Sequence, residues 1–126
     1  MTDRELLNIA KRAAENAYVP YSKFKVGAAL ECADGKVYTG CNVENAALGC
    51  TICAERTAVC KAVSEGSRDF VRIAVWADSE NYCMPCGSCR QVLGEFSPEI
   101  EVLSTRAGGS YVSYPLTRLL PYPFKL

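Results

Sequence analysis

Leu6, Leu7, Ala10, Ala13, Ala14 and Ala17 recur at three- and four-residue intervals, the spacing of one helix face. Thr2 and Glu5 precede and overlap that run in the arrangement of a capping box, and Pro20 closes it. A helix is predicted over 2–17. The period then changes. Residues 24–33 and 36–43 are rich in β-forming residues and flank Asp34-Gly35, a strong hairpin signal. Residues 45–52 read as a loop. Ala58, Val59, Ala62 and Val63 mark the apolar face of a second helix, 53–65, with Gly66 as its stop. Residues 70–77 form a run apolar except for Arg72, as expected of a strand covered on both faces. A loop over 79–85 leads to a third helix, 86–96, just after Pro85. A strand at 100–104, a turn at Ala107-Gly108-Gly109, a short strand at 110–114 and one helical turn before Pro121 complete the chain.

After residue 50, single strands alternate with helices. That order predicts a parallel region with helices on both faces, a three-layer α/β/α sandwich. No repeat, linker or low-complexity segment interrupts it, so residues 1–126 are read as a single domain. A chain of 126 residues is long enough to bury a stable core without crosslinks. Hydrophobic residues make up 49% of it, which excludes a disordered chain. The 14 basic residues balance the 14 acidic ones, leaving no broad basic field for a nucleic-acid backbone. The start, MTDRELLNIAKRAAENA, lacks the apolar run of a signal peptide, and no stretch approaches a membrane span. A cytoplasmic protein that contacts neither nucleic acid nor membrane is expected.

Eight cysteines and no histidine alter this picture. In a reducing compartment, metal binding or catalysis outranks disulfides as the use of cysteine. Without histidine, a transition-metal site must rest on thiolates, which favours zinc or iron–sulfur. Three C-x-x-C spacings are present: Cys50/Cys53, Cys83/Cys86 and Cys86/Cys89. Two such pairs far apart in sequence are a strong zinc signal. Cys50, Cys53, Cys86 and Cys89 make a closed structural site one option. An open three-thiolate site is the other, and three features favour it. Cys53 and Cys86 fall at predicted helix amino termini, where free N–H groups and the helix dipole stabilise thiolate. Cys86 and Cys89 share one helix face, whereas Cys50 lies in a loop that aims it nowhere in particular. Glu55, two residues past Cys53, is positioned in a first helical turn to handle protons beside the metal. The remaining cysteines, Cys32, Cys41, Cys50, Cys60 and Cys83, read as small apolar residues or free thiols, and Cys83 as oxidation-prone if its loop is exposed. Tyr18, Tyr21 and Tyr38 read as packing residues.

Cys-Ala-Glu opening one helix and Pro-Cys-Gly-Ser-Cys opening the next resemble the zinc-dependent nucleoside deaminases. YSKFKVGAAL (21–30), GCNVENA (40–46), CAERTA (53–58), PCGSCRQ (85–91), LLP (119–121) and Phe124 resemble the small cytidine deaminases over nearly the whole chain. The resemblance implies a mixed five-stranded sheet and hydrolysis of cytidine and deoxycytidine to uridine and deoxyuridine. It implies one zinc per chain held by Cys53, Cys86 and Cys89, with Glu55 carrying protons from water to the ring and the leaving amine. Asn42 and Glu44 would hydrogen-bond the ribose, Phe24 would pack on the base, and Ala54 would join the substrate contacts. Phe124 of a neighbouring subunit would complete the pocket of a homotetramer. Three thiolates give zinc an excess negative charge. Arg56, three residues past Cys53, is spaced to offset it. Two other readings stay open: a deaminase of a nucleoside-like antibiotic such as blasticidin S, and a structural zinc module using Cys50.

Overall fold

A computed structural model describes all 126 residues. The first helix, α1, spans Asp3–Ala14, and Thr2 caps it. The Glu5 amide donates to Thr2 Oγ1 at 3.1 Å, and the Thr2 amide donates to Glu5 Oε2 at 2.9 Å, so the capping box forms. The helix stops short of Ala17, although the apolar period runs on. There the backbone turns aside to pair with a distant segment: the Tyr18 amide donates to the Asn42 carbonyl, and the Glu44 amide donates to the Tyr18 carbonyl. Long-range pairing overrides the local helical period.

Strands β1 (Val26–Cys32) and β2 (Val37–Cys41) form the hairpin, with Gly35 in the left-handed region at φ 88°. A 3-10 turn at Leu48–Cys50 lies in the loop before α2 (Ala54–Ser64). Strand β3 (Phe70–Ala77), helix α3 (Gly87–Phe96), strands β4 (Glu101–Thr105) and β5 (Tyr111–Pro115) and the short helix α4 (Leu116–Leu119) follow. The five strands form one mixed sheet in the order β2-β1-β3-β4-β5. Only β3 and β4 run parallel; the other neighbours are antiparallel.

The sheet is covered on both faces, giving the three layers. On one side Leu6, Leu7 and Ala10 of α1 pack on Ala29, Ala74 and Leu103. On the other, Ala58, Val59 and Ala62 of α2 and Leu93 of α3 pack with Leu30, Ile73, Val75 and Val102. Two glycines set how closely the layers approach. A Cβ at Gly27 would lie 1.9 Å from the Ala10 carbonyl oxygen of α1. A Cβ at Gly40 would lie 2.3 Å from the Ala54 carbonyl oxygen of α2. Both helix backbones therefore rest directly on the sheet.

The connection from β3 to α3 is tied to the end of β4. The Cys83 amide donates to the Thr105 carbonyl at 2.8 Å, and the Ala107 amide to the Ser79 carbonyl. Thr105 is itself buried, and its Oγ1 accepts from the Ala77 amide. Of the three tyrosines expected to pack, only Tyr38 is buried; Tyr18 and Tyr21 are more than half exposed. They lie in the irregular segment between α1 and β1, outside the layers.

Candidate metal centre and substrate site

Helices α2 and α3 begin side by side, and a cysteine sits at the N-cap of each. Cys53 has φ −71° and ψ 155°, and Cys86 has φ −68° and ψ 170°. These extended conformations leave each thiol at the mouth of its helix, where the first free N–H groups point. The cap carbonyls start the helices normally: the Thr57 amide donates to Cys53 and the Arg90 amide to Cys86. Cys89, one turn into α3, is fully buried and faces the same point.

The Cys53 sulfur stands 3.9 Å from that of Cys86, which stands 3.6 Å from that of Cys89. A tetrahedral zinc with sulfur at about 2.3 Å holds its sulfurs about 3.8 Å apart. The three thiols thus fit that ion, and they stand as a group of three ligand atoms within 4.8 Å of one another. Cys50 is outside the group, exposed at the end of the 3-10 turn. The donors present match an open three-thiolate site and not a closed four-thiolate one.

The electrostatics favour the thiolate at Cys53. The Cys89 thiol, and after it the Arg56 guanidinium, draw Cys53 down to about 5. The same contact with Cys53, together with burial, pushes Cys89 up. Arg56 Nη2 donates to Cys53 Sγ at 3.4 Å, so the cation reaches the cluster from within α2. Its Nε is buried without a partner, and its Nη2 also donates to the Thr51 carbonyl at 3.5 Å.

Glu55, in the first turn of α2, is only 5% exposed. Burial pushes its carboxyl up to about 7, and the nearby Cys53 charge adds to the rise. A carboxyl poised near neutrality is suited to both taking and giving a proton. Burial pushes the Cys83 thiol up to about 11, which disfavours the thiolate that oxidation requires.

The other expected substrate residues fall into two groups. Asn42 and Glu44 follow β2 and hold the segment leading into β1. Asn42 Nδ2 donates to the Phe24 carbonyl at 2.8 Å, and the Val26 amide donates to Asn42 Oδ1 at 2.9 Å. Glu44 Oε1 accepts from the Tyr21 and Ser22 amides, and Oε2 accepts from the Ser22 hydroxyl. The Ser22 hydroxyl is the chief cause holding the Glu44 carboxyl below its usual range. Phe24 is 40% exposed. Ala54 is fully buried in the core, so its methyl offers no free surface. Phe124 is 71% exposed on the far side of α3, where its carbonyl accepts from Gln91 Nε2.

Sequence reasoning passed over Ser22 and Arg90. Arg90 donates from Nε to the Pro85 carbonyl and from Nη1 to the Leu119 carbonyl, tying the loop before Cys86 to the C-terminal segment. Both residues lie inside quoted motifs, but their partners are remote in sequence and no spacing discloses them.

Residues 1–104 match the family model described as "Cytidine and deoxycytidylate deaminase zinc-binding region". A cytidine deaminase of Sporosarcina psychrophila is 50% identical over 125 residues, covering 98% of this chain and 92% of the relative. The crystal structure of a cytidine deaminase from Burkholderia pseudomallei superposes with a TM-score of 0.95 at 48% identity, covering 98% of this chain and all of that one. A cytidine deaminase structure from Mycobacterium tuberculosis gives 0.86 at 41% identity, with both chains fully covered.

Proposed function

The chain belongs to the cytidine and deoxycytidylate deaminase family, and from that premise we propose how its own residues perform the reaction. It is a zinc-dependent hydrolase that converts cytidine and deoxycytidine to uridine and deoxyuridine with release of ammonia. The observation that carries the mechanism is the set of three thiols at zinc spacing with the buried Glu55 carboxyl beside them. Cys53, Cys86 and Cys89 would hold one zinc per chain, and that ion would supply Lewis-acid chemistry that lowers the pKa of water at the site. Arg56 and the two helix amino termini offset the charge of the three thiolates.

Glu55 takes a proton from the attacking water and delivers it to ring N3 of the base. It takes the second proton from the added hydroxyl and gives it to the exocyclic amine. C4 gains oxygen as the C4–N bond breaks, so cytidine and water become uridine and ammonia. Glu44 and Asn42 bind the sugar, and Phe24 packs on the base. Ala54, at the first position of α2, joins the substrate contacts through its backbone, since its methyl is buried. A carboxylate that accepts from a sugar hydroxyl discriminates strongly, because an analogue lacking the hydroxyl leaves the charge unpaired.

Residues 1–126 act as one catalytic domain. Four such chains assemble, and Phe124 of a neighbouring subunit closes the pocket. Two features support this assembly: Phe124 is presented to solvent, and the rim around Tyr21, Phe24, Val43 and Ile52 carries exposed apolar surface. Light scattering should give a mass four times the 13.7 kDa of one chain; a monomer at assay concentration contradicts the shared pocket. The partner in the reaction is a free nucleoside and not a nucleic acid, in keeping with the zero net charge. No helix is long and apolar enough to cross a membrane. A cytoplasmic location fits the eight free cysteines.

The direct test is Glu55→Gln. It should retain zinc while turnover falls by about 10²–10⁴-fold, the range for a lost general acid–base group. A fully active, zinc-loaded variant contradicts the assignment.

A further inference from the structure

The segment from Tyr21 to Lys25 runs into β1 without joining the sheet ladder, and side chains supply much of its backbone pairing. Ser22 is the junction. Its hydroxyl oxygen accepts from the Phe24 amide at 3.0 Å, and its hydroxyl hydrogen goes to Glu44 Oε2. Its own amide and that of Tyr21 donate to Glu44 Oε1 at 3.1 and 3.0 Å. One serine therefore binds both oxygens of the carboxylate and the backbone of the aromatic residue at once. The chain from Phe24 N–H through the hydroxyl to the carboxylate runs donor to acceptor throughout, an arrangement in which each bond polarises the next.

The backbone is bent to allow this. Lys23 occupies the left-handed region at φ 61°, a conformation that costs a residue with a side chain and persists only where its surroundings fix it. The Lys23 amide donates to the Val19 carbonyl at 3.0 Å, and Asn42 holds the Phe24 carbonyl and the Val26 amide on the far side. The bend brings the Ser22 hydroxyl and amide, with the Tyr21 amide, onto Glu44.

We propose that Ser22 is a positioning residue for sugar selection: it orients the Glu44 carboxylate. This rests on the reading of Glu44 as the sugar contact. With one Oε2 lone pair occupied by the hydroxyl and Oε1 held by two amides, the carboxylate has a fixed face left for a sugar hydroxyl. Cytidine and deoxycytidine share the 3′- and 5′-hydroxyls, and the proposal assigns the 3′-hydroxyl to this face. The polar contacts of Ser22 go to Glu44 and the Phe24 amide and not to Cys53, Cys86, Cys89 or Glu55, so its loss should leave the proton transfers at C4 in place.

The test compares cytidine with 2′,3′-dideoxycytidine in zinc-loaded Ser22→Ala, Ser22→Thr and Glu44→Gln enzymes. Ser22→Ala should raise KM for cytidine about tenfold, the effect of one lost hydrogen bond to a charged group. Its kcat for cytidine, and its kcat/KM for dideoxycytidine, should stay within about twofold of the parent. Ser22→Thr, which keeps the hydroxyl, should restore discrimination. Equal losses on both substrates, or a kcat loss without a KM change, would mean a general structural role and overturn the proposal. If Glu44→Gln abolishes discrimination while Ser22→Ala keeps it, only the role of Ser22 falls. If Glu44→Gln itself keeps discrimination, the reading of Glu44 falls and the proposal with it.

Discussion

A methyl group at Gly40 should damage catalysis, whereas the same methyl at Gly27 should damage only stability. Both positions lie where a helix backbone rests on the sheet. At Gly40 the new Cβ would meet the Ala54 carbonyl oxygen at 2.3 Å and the Ala58 nitrogen at 2.6 Å. At Gly27 it would meet the Ala10 carbonyl oxygen at 1.9 Å and the Ala14 nitrogen at 2.6 Å. Ordinary contact begins near 3.4 Å, so the interface must open by about 1.1 Å at Gly40 and about 1.5 Å at Gly27. Overpacking of this kind costs about 1–3 kcal/mol, and clashes with backbone lie toward the upper end. The two helices differ in what they carry. The α2 helix bears Glu55 and is capped by Cys53, while Asn42 and Glu44 directly follow β2. Whether the helix or the edge strand yields, the separation between the two halves of the site changes. A displacement of about 1 Å is enough to lower a rate by about 10²-fold. No proposed site residue lies on α1. Urea unfolding should therefore show both Gly→Ala variants destabilised. Below the unfolding transition, Gly40→Ala should lose about 10²-fold in kcat/KM and Gly27→Ala less than about threefold. Equal catalytic losses, or a Gly40→Ala enzyme with parental kcat/KM, would refute this reasoning.

Three further outcomes follow from the site. Arg56→Gln should weaken zinc retention about 10–100-fold in chelator competition, since the cation that compensates Cys53 is gone; unchanged retention and turnover would dismiss that role. Cys50→Ser should keep its zinc, because Cys50 stands outside the thiol group; loss of zinc would point to a closed structural site. Glu55 in the zinc-free protein is raised from 4.5 to about 7. Its contribution to stability is full below pH 4.5 and is lost as the pH rises through about 7. Zinc-free Glu55→Gln should thus gain about 3 kcal/mol on the parent between pH 4 and pH 8 in urea unfolding; a gap that does not change with pH contradicts the burial of an ionisable carboxyl.

The local signals in the chain were legible where the cause is itself local. Thr2 and Glu5 cap α1 as their spacing implies, and the two cysteines predicted at helix starts are both N-caps. Residues 70–77 form the central strand because a run apolar except for Arg72 suits a sheet covered on both sides, and Arg72 is paired with Asp3 and Glu31. The misses have long-range causes. The alanine period extends through Ala17, but pairing of Tyr18 with Asn42 and Glu44 ends the helix at Ala14. β1 begins at Val26 and not at Phe24, because the preceding residues bond to the Asn42 and Glu44 side chains. The same remoteness hid Ser22, whose partner is 22 positions away. The C-x-x-C spacings alone left Cys50 in contention, and only the sulfur positions set it apart. The absence of histidine was the most informative single count, since it required a thiolate site for any transition metal and left Glu55 as the best-placed candidate proton carrier.

The central claim is that three thiolates and Glu55 make this chain a zinc-dependent cytidine deaminase. The most direct measurement follows the ultraviolet absorbance of cytidine and the zinc content on one and the same sample. The account predicts one zinc per chain, conversion of cytidine to uridine, and loss of turnover in step with zinc when a chelator removes it. A protein that holds one zinc per chain and leaves cytidine unchanged would contradict it.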